Sequence, residues 1–245
     1  MSEYNRILLK LSGEVFRAKP DEGDPGAKAD ALSAAMLARM AREIAAARRE
    51  RNFELGIVIG GGNIFRGLSR GGDFELERTT GDQMGMLATL INCLALRDAI
   101  NAQGLSAEVF SAVAIPGVAP AISAHSLRPA LAAGTIILFA CGTGSPFFTT
   151  DTAAALRAAE IKADILYKAT KVDGVYSADP ARDPQAKRYE SIRYAEVLEQ
   201  RLAVMDLTAI SFCMENKVPI CVFSMLDEGA VTKALLGQAA GTVVR

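Results

Sequence analysis

The sequence contains a single histidine, His125, which excludes any mechanism that needs two imidazoles. Its four cysteines, Cys93, Cys141, Cys213 and Cys221, stand far apart and lack metal-site spacing. They read as small buried hydrophobes in a reducing, cytoplasmic compartment. No G-x-x-x-x-G-K-[ST] run is present, which excludes a P-loop enzyme of the usual kind, and no G-x-G-x-x-G follows the first apolar run, which argues against a Rossmann dehydrogenase. Neither sign of charge dominates, with 27 basic against 28 acidic residues, so a broad nucleic-acid footprint is not expected. The most apolar long stretch, 104–122, is interrupted by Glu108, Pro116, Gly117 and Pro120 and is too broken to cross a bilayer. The segment Met1–Arg6 enters a strand within a few residues and has no signal-peptide layout. Internal repeats and low-complexity segments are also missing.

What is present is a chain of 245 residues, half of them hydrophobic and 22% charged, enough for one α/β domain or two closely fused lobes. Short apolar runs predict strands at 6–11, 55–60, 107–112, 135–140, 163–169, 220–224 and 242–245. Several, such as Ile136-Ile137-Leu138-Phe139, are continuous, the pattern of strands covered on both faces. Helical patterns fall between them at about 31–52, 82–103, 126–133, 151–160, 194–202, 206–217 and 229–236. The alternation predicts an α/β fold with a mostly parallel central sheet flanked by helices on both faces, three layers in all. Residues 17–29 are polar and broken by Pro and Gly, and 173–191 open on Asp173-Gly174, a hairpin signal. A soft boundary near residue 165 divides the single domain into an acceptor-binding lobe, about 1–164, and a nucleotide-binding lobe, about 165–245. Segment 82–103 is apolar around nearly its whole circumference, so it is either central in the monomer or in contact with another subunit.

In sheets of this kind ligands gather at the carboxyl ends of strands. The first strand ends in Lys10-Leu11-Ser12-Gly13, which suits phosphate or is an ordinary turn with a solvated lysine. The second ends in Gly60-Gly61-Gly62-Asn63, with Arg66 one turn on. Three glycines can expose backbone N–H groups as an anion nest, with a guanidinium nearby to grip a phosphate through two N–H groups; the alternative is a flexible loop with a surface arginine. Asp82 reads as a helix N-cap or as an acceptor for sugar hydroxyls. The fourth strand leads into Gly142 through Asp151, with hydroxyls, glycines and a helix N-terminus. There Asp151 is a cap or a carboxylate that orients ammonium groups, and Phe147 and Phe148 read as core or as part of a site. The fifth strand passes Lys168 into a segment whose Tyr176 and Asp179 could hold a purine and its ribose, or which is an ordinary hairpin followed by an Asp-Pro turn.

Lys10-Leu11-Ser12-Gly13, Gly60-Gly61-Gly62-Asn63 and Ala169 through Tyr176 with Asp179-Pro180 resemble the amino acid kinase family. The runs Thr80 through Asn92 and Gly142 through Asp151 resemble its bacterial uridylate kinase branch, and the likeness covers nearly the whole chain. The resemblance implies phosphoryl transfer from ATP to UMP in pyrimidine nucleotide biosynthesis, with Mg²⁺ carried on ATP, a homohexamer, activation by GTP and inhibition by UTP. It assigns Lys10, Leu11, Ser12, Gly13, Gly62, Arg66, Thr170, Tyr176 and Asp179 to ATP. It assigns Gly61, Asp82, Thr143, Gly144, Ser145, Pro146, Phe147, Phe148, Thr149 and Thr150 to UMP, with Lys168 as a second lysine near the phosphates. Two departures stand out: Ser145 replaces the usual Asn, and 17–29 lacks the Gly-x-Gly-Ile-Asp-like pattern of the segment that communicates with GTP in the family.

Phosphoryl transfer asks for alignment and charge neutralisation rather than covalent help. Lys10 and Arg66 are expected to stabilise the migrating group, and Asp151 to orient Lys10. The sequence shows no carboxylate cluster for a protein-built Mg²⁺ cage. Two rival readings remain at this level: a carboxylate kinase of the same family, and a regulator that binds UMP or UTP without turnover.

Overall fold

The computed structural model describes residues 4–17, 30–65, 76–178, 183, 185–202 and 204–245. Arg66, Asp179 and residues 18–29 of the predicted loop therefore lie outside the described residues. Eight strands form one sheet: β1 (Arg6–Leu11), β2 (Glu54–Ile59), β3 (Ala107–Ser111), β4 (Ile136–Ala140), β5 (Ile165–Thr170), β6 (Ser191–Ile192), β7 (Ile220–Ser224) and β8 (Gly241–Val244). Their order is β3-β4-β2-β1-β5-β7-β8-β6, and every pairing is parallel except β7 with β8. The helices are α1 (Ala34–Glu50), α2 (Arg78–Asn101), α3 (Ala124–Ala132), α4 (Thr150–Ile161), α5 (Tyr194–Glu199), α6 (Leu207–Asn216) and α7 (Ala230–Leu235), with a 3₁₀ turn at Gly13–Phe16.

The alternation of side chains along each strand sorts the core into two layers. Ile7, Leu9 and Leu11 of β1 face α1, α2 and α7, where they meet Met40, Ile44, Leu90, Leu96 and Leu235. Leu8 of β1 and Leu166 of β5 face the opposite layer, with Leu127 of α3, Ala158 of α4 and Ile210 of α6. Helices thus cover both faces, which is why the central strands are apolar at successive positions.

Three local features depart from the expected elements. β6 has two residues and exists only through its pairing with β8. Helix α2 begins at Arg78, one turn before the expected start at residue 82. After β5 the antiparallel bridge joins Tyr176 to Arg188, beyond Asp173-Gly174.

Candidate active site

Lys10 and Lys168 are register partners on the adjacent parallel strands β1 and β5. Parity along the strands puts both side chains on the layer shared with Leu8 and Leu166, the layer that holds α4. The first turn of α4 supplies Asp151 between them. Its carboxylate pairs with Lys10 Nζ at 2.7 Å through one oxygen and with Lys168 Nζ at 2.7 Å through the other. Lys168 also donates to the Val204 carbonyl at 2.5 Å. Burial pushes the Asp151 carboxyl up, but the two ammonium groups outweigh it and hold it below the ordinary carboxylate range. Burial, reinforced by the neighbouring Lys10, depresses the Lys168 ammonium below its ordinary value despite the pull of Asp151 and Asp206.

Asp151 is free for this role because Thr149 caps the helix. The Thr149 hydroxyl accepts the Asp151 N–H at 3.0 Å and the Thr152 N–H at 3.3 Å. The cap reading fails for Asp82 as well. Helix α2 has already begun at Arg78, and the Asp82 carboxylate instead accepts the Phe147 N–H at 2.9 Å. Arg78 lies 3.7 Å from the same carboxylate oxygen, and its guanidinium sits 4.7 Å over the Phe147 ring. Phe147 and Phe148 are exposed rather than core, and Phe147 adopts a positive φ of 71°.

Lys10, Arg78, Asp82, Phe147, Phe148 and Thr149 border one cleft of about 490 Å³; Asp151 meets it through its pairing with Lys10, and neither Asp151 nor Lys168 lines it. Lys10, Ser12 and Gly13 enter it from β1; Gly61 and Gly62 from β2; Asp82 from α2; Thr143, Ser145, Phe147, Phe148, Thr149 and Thr150 from the segment after β4. The two glycine segments touch at Gly13 and Gly60. A Cβ on Gly13 would lie 2.1 Å from the Gly60 carbonyl oxygen, so only glycine allows this approach. Leu11 contributes backbone alone: its side chain is core, and its carbonyl accepts the Gly60 N–H at 3.0 Å. Gly144 turns the loop at φ 85° against Ala112, and Pro146 lies between Ser145 and Phe147 in the same loop. Thr143 Oγ1 donates to the Ser145 carbonyl at 3.1 Å. Thr170 ends β5, and Tyr176 lies beyond it, its hydroxyl donating to Asp173 at 2.7 Å; neither borders the cleft.

Sequence reasoning missed Asp206. It caps α6 by accepting the Ala209 N–H at 3.0 Å, and it also accepts from the Thr149 hydroxyl and, at 3.0 Å, from the Thr152 hydroxyl. An aspartate before a helical run signals a cap, but the reach to α4 crosses more than fifty residues and leaves no local trace. Arg157, almost wholly buried, was also missed; it donates to the Gly142 carbonyl at 3.1 Å.

The arrangement can hold anionic groups against Lys10, whose ammonium Asp151 fixes, and against the two glycine segments. The four cysteines are buried, and burial pushes the Cys213 and Cys221 thiols up to about 12.

Comparison with known proteins agrees. The chain is 48% identical to the uridylate kinase of Magnetococcus marinus over 244 residues, covering 100% of this chain and 97% of that protein. It is 46% identical to the uridylate kinase of Stutzerimonas stutzeri, covering 98% of this chain and 94% of that one. Among solved structures, UMP kinase from Bacillus anthracis superposes with a TM-score of 0.90 at 32% identity, covering 100% of this chain and 97% of that one. UMP kinase from Ureaplasma parvum superposes with a TM-score of 0.88 at 34% identity, covering 98% and 97%. The family model described as the amino acid kinase family matches residues 5–224, a span that carries β1 through β7 and all the cleft residues named above, and the chain belongs to that family.

Proposed function

We propose that the protein transfers the terminal phosphoryl group of ATP to UMP, giving UDP and ADP. The observation that carries this reading is the Lys10–Asp151–Lys168 cluster, whose Lys10 borders a cleft walled by two glycine segments. A migrating phosphoryl group gathers negative charge on its equatorial oxygens, and preorganised positive charge lowers that barrier most effectively where water is excluded. Asp151 holds both ammonium groups in place before substrate arrives, so no reorganisation is needed at the moment of transfer. The UMP phosphate oxygen is already an anionic nucleophile and needs no general base. The choice of UMP as acceptor is supported by the names of the uridylate kinase relatives and by a carboxylate, Asp82, lining the cleft, whose role in this reading is to accept sugar hydroxyls.

In this reading the N-terminal part, to about residue 164, receives UMP through Gly61, Asp82 and 143–150. The C-terminal part serves ATP through Thr170, Tyr176 and Asp179, together with Lys10 through Gly13, Gly62 and Arg66 of the N-terminal part. Mg²⁺ carried with ATP would supply further charge neutralisation. Both Asp151 oxygens are committed to lysines, and no cluster of three acidic, Cys or His side chains occurs among the described residues. The donor set therefore fits an ion held mainly by phosphate and water. The exposed apolar stripe Met84, Leu87 and Ile91 on α2 supports a homo-oligomer, which we take as a hexamer with UTP as inhibitor and GTP as activator. No helix among the described residues is long and apolar enough to cross a membrane, and we assign the protein to the cytoplasm and to pyrimidine nucleotide synthesis.

The test is UDP formation from ATP and UMP, repeated with GTP and UTP and set against aspartate and N-acetylglutamate as acceptors. Turnover with a carboxylate acceptor and none with UMP would overturn the reading, as would UMP binding without a single turnover.

A further inference from the structure

Helix α2 reads as apolar in sequence, yet two of its polar side chains, Thr89 and Asn92, are buried at 3% and 0% exposure. A buried hydroxyl or carboxamide is tolerated only with partners. Both side chains are hydrogen-bonded, and each reaches a different cleft segment. The Thr89 hydroxyl donates to the Met86 carbonyl at 2.7 Å and accepts the Cys141 N–H at 2.8 Å. Cys141 sits at the foot of the segment after β4, in the left-handed region at φ 59°. Asn92 Nδ2 donates to the Gly60 carbonyl at 2.7 Å and to Asn63 Oδ1 at 2.8 Å. Asn63 Nδ2 donates back to Asn92 at 2.9 Å and to the Ala31 carbonyl at 2.7 Å, which closes a ring of amides under the glycine segment.

Thr89 and Asn92 are three residues apart, so they share one face of the helix. The glycine segment lies directly on that helix: a Cβ on Gly61 would come within 2.6 Å of the Gly85 carbonyl oxygen and 2.9 Å of the Ala88 Cβ. One rigid helix thus fixes the end of β2 and the end of β4 relative to each other. We propose that Thr89 and Asn92 are positioning residues that clamp these two segments at the separation phosphoryl transfer requires. Thr89 borders the cleft, but its hydroxyl is committed to Met86 and Cys141, so it acts through the loop. The proposal rests on the UMP reading for its substrate and on the fold alone for its clamp.

The test compares Thr89→Val, which keeps shape and removes the hydroxyl, with Thr89→Ser, which restores it. Thr89→Val should lower kcat/KM for UMP by about 10²-fold, the scale of a 1 Å misplacement, with KM for UMP raised and KM for ATP close to wild type. Thr89→Ser should recover most of the loss. Amide hydrogen exchange over 141–148 should quicken in Thr89→Val while β1 and β2 keep their protection. Unchanged loop exchange and unchanged KM for UMP in a folded Thr89→Val protein would overturn the clamp. So would a kcat that falls only with the folded fraction while both KM values hold. Wild-type protein that makes no UDP sinks the substrate reading instead, and the exchange measurement still decides the clamp.

Discussion

Asp151→Asn perturbs the charge cluster with almost no change of shape. The carboxylate sits 2.7 Å from each of two ammonium groups. At an effective dielectric of about 20, each contact is worth about 6 kcal/mol of attraction before desolvation is subtracted. Burial of all three charges and repulsion between the lysines offset much of this, so removal of the shared partner should destabilise by about 3–5 kcal/mol. An amide offers one acceptor oxygen, and its NH₂ group points a positive dipole at the other lysine. Lys168 is the more vulnerable of the two, because burial and Lys10 already depress it and Asp151 is the main force opposing them. Loss of the carboxylate should depress it further, so Lys168 should surrender its proton at lower pH than in wild type. The expected result is a kcat lower by about 10²–10³-fold and an alkaline limb of the kcat–pH profile displaced to lower pH. On the acid side the direction is fixed by the carboxyl itself, whose folded-state value lies below its unfolded one. Its stabilisation is complete above the ordinary carboxylate range and disappears as pH falls through the lowered folded value, a transition the amide variant should lack. Coupled ADP-release kinetics and thermal melts across pH measure both. A kcat within about twofold of wild type, with the alkaline limb unmoved, would show that the cluster only supports the fold.

Asp82→Asn should raise KM for UMP while leaving the melting temperature nearly unchanged, because Asp82 lies inside α2 and does not cap it; a lowered melting temperature with unaltered KM would reverse that assignment. Gly13→Ala places a Cβ 2.1 Å from the Gly60 carbonyl oxygen, so the two glycine segments must separate. We expect calorimetry to show about 1–3 kcal/mol of destabilisation, with a drop in kcat/KM measured well below the melting temperature. An active Gly13→Ala protein of wild-type stability would mean the segments need not touch. Leu87→Glu puts a charge in the exposed stripe formed with Met84 and Ile91; light scattering should report a smaller assembly, and an unchanged mass would remove this face from the subunit contact.

What could be read from the chain and what could not follow from the range of the forces involved. Strands such as Ile136–Ala140 were legible because burial on both faces demands an unbroken apolar run, and Gly60 and Gly142 mark their ends. β6 was not, because Ser191-Ile192 has no pattern of its own and becomes a strand only against Val243 and Val244. The residue types of the candidate site were legible, but their local roles were ambiguous wherever an acidic residue stood near a helix start. Asp82 and Asp151 both looked like caps. Four more residues of helix before Asp82, and Thr149 as the cap before Asp151, released both carboxylates for contacts that span 65 and 17 residues of sequence. Thr89 and Asn92 lie in the run Thr80–Asn92 but gave no sign of their contacts, since two polar residues in an apolar helix are revealed as buried only by what packs against them.

Register is what joins these pieces. Lys10 and Lys168 are separated by most of the chain, and neither implies the other in sequence. Parallel pairing of β1 with β5 makes them neighbours on one face, and a shift of one residue in either strand would turn one lysine into the opposite apolar layer beside Leu9 or Tyr167. A lysine there would be an unpaired buried charge, a penalty far larger than any change in local propensity. The apolar alternation that stabilises the sheet therefore also sets the charge geometry of the cleft. The same parity explains why Asp151 had to arrive from α4: only the helix layer on that face can place a carboxylate between the two ammonium groups.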